Sequence, residues 1–421
     1  MPPATATTTP RPALTQARAA LALALLLGLQ PVTTDLYLPA LPRLALDLHA
    51  PMAAVQLTMS ALLLSFGLAQ LLMGPLADRF GRRPVLLGGL SLYSLGSLLA
   101  ALAPHIEALI ALRAVQGVGL AAAVVCARAM VRDLYEPSQG AQVMSKALSG
   151  LGLLAIASPT VGGLLTLLAG WRSAMLAVAA AGVVTLCFIW RHVPETAPPG
   201  RHAHRQPLWH SARTVLSHPT FRAWTALISA TYGGLFVLLA GSSFVYTGPM
   251  GLSPWGYGLA MASASVAYLL GTFWCRRLLP LHGLTGAVRR GAGFTLAGGL
   301  GMLALGLCSS GQAQVLPLML LCQWLYSFGH GLHQPCGQAG AVGAFPHMAG
   351  VASALSGFTL ALTAFLVGLW LGQVMDGSLR MLSIGLGFWA VVTSALAWTL
   401  VQRDGAHFSQ TATAAAAKAA P

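Results

Sequence analysis

The chain has 421 residues, 56% of them hydrophobic and only 8% charged, where an ordinary soluble domain carries roughly 25% charged residues. A chain this apolar cannot cover its own surface with polar groups, which excludes a water-soluble globular protein. The net charge of +14, from 23 Lys and Arg against 9 Asp and Glu, would suggest nucleic acid in a soluble protein; in a membrane protein it belongs to cytoplasmic loops, so no nucleic-acid partner is expected.

Apolar stretches recur at about 17–41, 53–76, 85–104, 106–129, 142–169 and 172–193, then at 221–248, 255–279, 290–309, 313–343, 350–374 and 379–401. Each is near the length a helix needs to cross a bilayer, about 20 residues. The pattern predicts an all-α polytopic membrane protein with twelve transmembrane helices in two six-helix bundles, 17–193 and 221–402. A basic linker, 194–220, joins them; it carries Arg201, Arg205 and Arg213, and its His202, His204, His210 and His218 have no fixed metal geometry. The ends, 1–16 and 403–421, are low in complexity and are expected to be disordered tails. With the N-terminus in the cytoplasm, 19 basic residues fall on the cytoplasmic side and three, Arg43, Arg172 and Arg380, on the other. That split predicts both termini and the linker inside the cell. Six cysteines lie in apolar stretches without metal-type or C-x-x-C spacing, so neither a disulfide framework nor a metal site is expected.

Taken in chain order, the informative residues are the exceptions to this apolar background. Asp35 lies about six residues from the outer end of span one and Arg113 about seven from the outer end of span four. At 1.5 Å per residue both lie roughly 10 Å deep, at matching levels. Ionisable groups inside a span are costly and usually functional. Between them comes Gly74-Pro-Leu-Ala-Asp78-Arg79-Phe-Gly81-Arg82-Arg83-Pro84, read as a tight loop in which Gly74 and Gly81 permit a sharp turn and close backbone approach. In span five, Ser158-Pro159-Thr-Val-Gly162-Gly163 removes a backbone donor and clears one helix face for packing. In the second half the one acid between 221 and 402 is Asp376, so ionisable chemistry there falls to His330 and His333, three residues apart on span ten. Trp324 and Gln323, two turns earlier, are candidates for the same cavity. A neutral histidine packed in its helix is the competing reading of the pair.

No G-x-x-x-x-G-K-[ST] phosphate loop occurs, and no H-E-x-x-H, G-x-S-x-G or EF-hand pattern. ATP is therefore not the expected energy source, no cofactor is expected, and an ion gradient remains.

The run Gly74 to Pro84 resembles the signature loop of the major facilitator superfamily at every defining position. Arg113-Ala-Val-Gln116-Gly117-Val-Gly119 and Pro159-Thr-Val-Gly162-Gly163 resemble two motifs of that superfamily's drug–proton antiporters, with Ser158 where a glycine is usual. Thr34-Asp35-Leu-Tyr37-Leu-Pro39, Arg132-Asp133-Leu-Tyr135 and Gly170-Trp171-Arg172 are similar to the bicyclomycin and chloramphenicol efflux family (Bcr/CflA). The resemblance is specific in the first half and looser in the second.

It implies a secondary transporter, not an enzyme, that exports small amphiphilic compounds, antibiotics among them, in exchange for protons. It further implies a bacterial inner membrane, a monomer, and a substrate site near mid-membrane between the bundles. Asp35 would be the proton-coupling carboxylate, with Arg113 and Gln116 as its switchable partner; a permanent Asp35–Arg113 ion pair is the structural alternative. Gly74, Asp78, Arg79, Gly81, Arg82 and Arg83 would form a gating loop in which Asp78 latches onto the N-terminus of span eleven. Pro159, Gly162 and Gly163 would lie at the bundle interface, and Tyr37, Trp324, His330 and His333 would line the substrate cavity. A metabolite or sugar transporter of the same superfamily is the alternative function, and an intramembrane enzyme or sensor a distant one.

Overall fold

The computed structural model describes residues 15–135, 137–197, 208–308 and 313–405. Most of the two expected tails, and the linker residues His202 and His204, lie outside them. Among the described residues all regular structure is helical. Spans 1 to 6 are Gln16–Thr34, Met52–Phe80, Arg82–Ala101, Ile106–Leu134, Pro137–Ala169 and Trp171–His192. Span 7 is Pro219–Thr247, and the continuous run Pro254–Cys308 contains spans 8 (254–282) and 9 (284–308). Spans 10 to 12 are Leu316–Gly343, Ala349–Val374 and Leu379–Trp398. Span 10 is the least apolar because it carries Gln323, His330, His333, Gln334 and Gln338. Below, the end of the molecule that holds the 6–7 linker is called the linker face and the opposite end the far face.

Two one-residue reversals replace the loops expected within the bundles. Gly283, at φ 64° and ψ −175°, turns span 8 into span 9, and Gly81, at φ 98° and ψ 157°, turns span 2 into span 3. Both conformations are essentially reserved for glycine. The signature segment is thus helical on both sides of Gly81 and is not an open loop. Gly74 lies inside span 2 with nothing within 4 Å of where a Cβ would stand; the close approach belongs to Gly81, whose Cβ would meet the Glu195 carboxylate.

Span 1 also departs from expectation. Its α-helix ends at Thr34, a short turn and a 3-10 segment follow, and a separate helix, Leu41–Asp47, leads to the far face. The cause is Pro39: it has no N–H to give to the carbonyl of residue 35, and its ring would clash with that carbonyl in a continuous helix. Asp35 therefore caps a helix end, and counting its depth along an unbroken span 1 does not apply.

Within the first bundle span 4 is central. Gly117 packs on Leu62 and Ser65 of span 2, and Gly119 on Gly89 and Tyr93 of span 3. Span 10 holds the matching place, with Gly298 of span 9 against Cys322 and Tyr326, and Gly271 of span 8 against Phe328 and Gly331. The bundles meet along spans 2 and 11 and along spans 5 and 8, where small residues let backbones approach closely: Gly67 on Ala361, Gly368 on Ser60, Gly258 on the Pro159 carbonyl.

Candidate functional site

Arg113 is fully buried, and a guanidinium without partners in such a place would be strongly destabilising. Its neighbours offset part of that cost, while Nε makes no hydrogen bond to a described residue. Nη1 and Nη2 donate to the Thr33 carbonyl at 3.2 and 3.3 Å, Nη1 donates to Gln116 Oε1 at 2.6 Å, and Nη2 lies 3.3 Å from Met59 Sδ. The guanidinium carbon stands 4.4 Å from the Tyr37 ring centroid, a cation–π contact. Gln116 passes the chain on to Ser97, which donates to the Tyr93 carbonyl, and the Tyr93 hydroxyl meets Thr33 Oγ1. Tyr37 is itself buried, its hydroxyl 3.0 Å from Thr58 Oγ1. Spans 1, 2, 3 and 4 are thus tied by one polar network centred on Arg113.

Asp35 is not its ion-pair partner here, which corrects the permanent-pair reading. Its carboxylate accepts a hydrogen bond from the Thr34 hydroxyl at 2.7 Å and lies within electrostatic reach of the Tyr232 and Tyr257 phenols in spans 7 and 8. Asp35 is half-buried. Arg113 instead grips the main chain two residues before it.

In span 5, Gly162 sits against the Leu36 carbonyl and Gly163 against Pro254 and Trp255 at the head of span 8. Thr160 and Ser265 add polar contacts across the same seam, the second donating to the Ala155 carbonyl at 3.1 Å. Pro159 and Gly163 therefore lie at contacts with span 8, and Gly162 at a contact with the turn that follows span 1.

At the linker face Arg82 bridges two acids: it pairs with Asp78 one turn back and, through Nε at 3.0 Å, with Asp133 at the end of span 4. Glu195 caps span 3, accepting the backbone N–H groups of Arg82 and Arg83 at 2.9 and 3.1 Å. Arg83 also donates to the carbonyls of Val193 and Trp190, so the start of the linker is clamped to the signature segment. Arg79 lies over Phe80 at 5.3 Å. Sequence reasoning missed Glu195, although it is the one acid between residues 137 and 375 and directly follows the helix-ending Pro194. Across the bundle seam Arg128 donates to Ser353 Oγ of span 11 at 3.0 Å.

The second-bundle candidates separate. Trp324 is 39% exposed and lines an outward groove of about 470 Å³ between spans 8, 9 and 10, its indole N–H donating to Ser263 at 2.8 Å. It is a bilayer-facing residue and not a cavity residue, because it lies on the side of span 10 between spans 8 and 9. His333 also points away from the bundle seam, with Nε2 donating to the Val288 carbonyl of span 9 at 3.2 Å. That bond fixes the proton on Nε2 and leaves Nδ1 an acceptor, 3.5 Å from Thr231 Oγ1. His330 is buried, 3.2 Å from the same hydroxyl and 5.4 Å from the Tyr268 ring. Both histidines are packed, hydrogen-bonded core residues. Gln323 is fully buried as well, accepting from the Tyr246 hydroxyl and donating to the Ala260 carbonyl at 3.3 Å.

Known proteins resemble this chain in sequence and in fold. The chloramphenicol resistance protein of Pseudomonas aeruginosa is 30% identical over 353 residues, 84% of this chain and 80% of that protein. Multidrug resistance protein D of Escherichia coli is 32% identical over 339 residues, 80% of this chain and 84% of that one. Among solved structures, a bacterial homologue of the human lysosomal transporter Spinster, inward-facing and occupied, has a TM-score of 0.74 at 14% identity, with 94% of this chain and 98% of that one covered. A D-xylose–proton symporter has a TM-score of 0.70 at 16% identity over 90% of this chain and 97% of that one. Residues 23–368 match the family model described as Major Facilitator Superfamily, a stretch that runs from the Arg113 network through both interfaces into span 11, and the chain belongs to that superfamily of transporters.

Proposed function

We propose that this transporter exports small amphiphilic compounds, of the kind handled by the drug-resistance relatives, in exchange for protons across a bacterial inner membrane. The linker face is then the cytoplasmic side, with both termini inside the cell, and the protein works as a monomer. The observation that carries this reading is Asp35, a carboxylate at a helix end, held by one hydroxyl and within electrostatic reach of phenols of the opposite bundle. A group so placed changes surroundings when the bundles rock, which is what a proton carrier needs. Arg113 and Gln116 fix the backbone next to it, and relocation of the guanidinium from the Thr33 carbonyl to the carboxylate is the switching step. Asp78, Arg82, Asp133 and Glu195 act as the cytoplasmic gate clamp. The apolar surroundings, short of charge on the second-bundle side, suit neutral amide- or hydroxyl-bearing substrates.

The test is transport in sealed vesicles under an imposed pH gradient. Asp35→Asn is expected to lose at least tenfold in gradient-driven substrate movement while substrate binding persists. Gradient-driven transport that survives Asp35→Asn would overturn the coupling role. Substrate that accumulates on the side toward which protons flow would instead favour uptake of a metabolite.

A further inference from the structure

Just before span 7 the linker forms a ten-residue helix, Leu208–Ser217. One side, Ser211 and Val215, is buried, and Val215 packs with Phe221, Trp224 and Phe345. The opposite sector presents Trp209, Arg213 and Leu216, spaced i, i+4 and i+7 and therefore on one face. Trp209 is 79% exposed and Leu216 46%. Two large apolar side chains held out in water are unfavourable by roughly 25 cal/mol for each Å² left uncovered. No acid lies within this helix, and the next exposed charge in the chain, Arg222 in the first turn of span 7, is also basic.

The level of this helix is fixed by its neighbours. It leads through His218 directly into Pro219, the first residue of span 7, so it lies where that span leaves the hydrocarbon. Trp190 and Trp398 stand at the linker-face ends of spans 6 and 12, exposed and beside Arg191 and Arg289; the Trp398 indole donates to the Arg289 carbonyl at 2.9 Å. Indoles favour the boundary between acyl chains and headgroups. Arginine beside them reaches phosphate with its guanidinium while its stem stays in apolar surroundings.

We propose that the outer face of helix 208–217 is a docking surface for anionic phospholipid headgroups of the adjoining leaflet, with Trp209 and Leu216 seated at the acyl boundary and Arg213 on the phosphates. This surface holds the inter-bundle linker against the membrane. A short amphipathic helix with a basic, aromatic face binds in this way through apolar burial plus attraction to anionic lipid. The proposal stands apart from the direction and substrate of transport.

The full-length protein is reconstituted in vesicles, and emission of the Trp209→Phe variant is subtracted from that of the wild type to isolate Trp209. The substitution is at an exposed site and leaves packing intact. The difference emission is expected to be blue-shifted, shielded from acrylamide, and quenched more strongly by brominated phosphatidylglycerol than by brominated phosphatidylcholine. High salt or Arg213→Gln is expected to remove that preference, because the attraction is electrostatic. Difference emission that is acrylamide-quenched and blind to both lipids would place the face in water or against a soluble partner and overturn the proposal. Equal quenching by both lipids, unaltered by salt and by Arg213→Gln, would overturn the recognition of anionic headgroups.

Discussion

The hairpin of spans 2 and 3 and the hairpin of spans 8 and 9 turn on the same device, a single glycine at positive φ, yet their surroundings differ in kind. Around Gly81 stand Asp78, Arg82, Asp133 and Glu195, paired and capped at the linker face. Along the chain on either side of Gly283 the charged residues are basic, Arg276, Arg277, Arg289 and Arg290, and the turn is pinned by neutral groups: Gln402 donates to the Thr285 carbonyl at 3.1 Å and Trp398 to that of Arg289. The spans behind the hairpins repeat the contrast. Arg113 and Gln323 are each seven residues past the first residue of their spans, 4 and 10, and each organises a buried network with a tyrosine. One network is charged and the other neutral. The architecture is close to symmetric while the ionisable chemistry is not, and the proposed division of roles, proton and gate in the first bundle and a neutral frame in the second, rests on that asymmetry.

The largest effect that can break this division is on coupling. If the first bundle alone carries the proton, Asp35→Asn loses gradient-driven transport, whereas the double change His330→Asn and His333→Asn retains the dependence on the pH gradient even where it lowers the rate. Vesicle transport measured with and without a gradient compares the two. A double histidine variant that transports at a rate indifferent to the gradient would move the coupling into span 10.

Next in size is the pair of buried networks. Arg113→Gln gives up charge-assisted bonds to the Thr33 carbonyl and Gln116, each worth about 1.5–3 kcal/mol. Gln323→Leu leaves the Tyr246 hydroxyl without its acceptor and costs about 1–3 kcal/mol. Thermal unfolding in detergent should therefore place Arg113→Gln below Gln323→Leu, and both below the wild type. The reverse order would mean that the guanidinium is tolerated rather than structural.

Much of this contrast was legible in the residues alone. The twelve spans, the signature segment and the scarcity of acids in the second half all follow from hydropathy and composition, because the bilayer tolerates so few exceptions. What could not be read was where side chains point. Asp35 and Arg113 share a depth by counting, but the carboxylate bonds its neighbour Thr34 and the guanidinium takes the Thr33 carbonyl; counting gives a level along a span and not a side chain's partner. Trp324 and His333 share span 10, yet Trp324 bonds Ser263 at an exposed groove while His333 is buried against Val288 of span 9, and the rotation of that helix decides which neighbour each side chain meets. Neither periodicity nor motif fixes such a rotation in a span that is apolar nearly all round. Glu195 was missed for another reason: it lies at a linker boundary, and its partners are backbone N–H groups 112 and 113 residues away.

The two glycines test the hairpins directly. Alanine at either site meets a backbone region that costs about 1–3 kcal/mol for a residue with a Cβ. At Gly283 nothing else stands within 4 Å, but at Gly81 the new methyl also displaces the Glu195 carboxylate from its cap. Gly81→Ala is thus expected to lower the unfolding temperature more than Gly283→Ala, and Gly81→Ala combined with Glu195→Ala should recover part of the difference. Equal losses at the two sites would show that the Glu195 contact adds nothing to the turn.

The smallest effect separates the two clamps. Glu195→Gln keeps the shape but weakens bonds in which a carboxylate accepts from four backbone N–H groups, those of Arg82, Arg83, Thr196 and Ala197; charge-assisted bonds are about twice as strong as neutral ones. Gln402→Ala removes one neutral amide from the Thr285 and Ala397 carbonyls, worth about 0.5–1.5 kcal/mol. The charged clamp is also the one that salt can screen, since Glu195 is only partly buried. Raising ionic strength should therefore narrow the stability gap between wild type and Glu195→Gln and leave the gap for Gln402→Ala unchanged. A gap at Glu195 that ignores salt would mean that the first hairpin, like the second, is held by shape and neutral hydrogen bonds. The electrostatic gate would then have to be sought in the Asp78–Arg82–Asp133 chain alone.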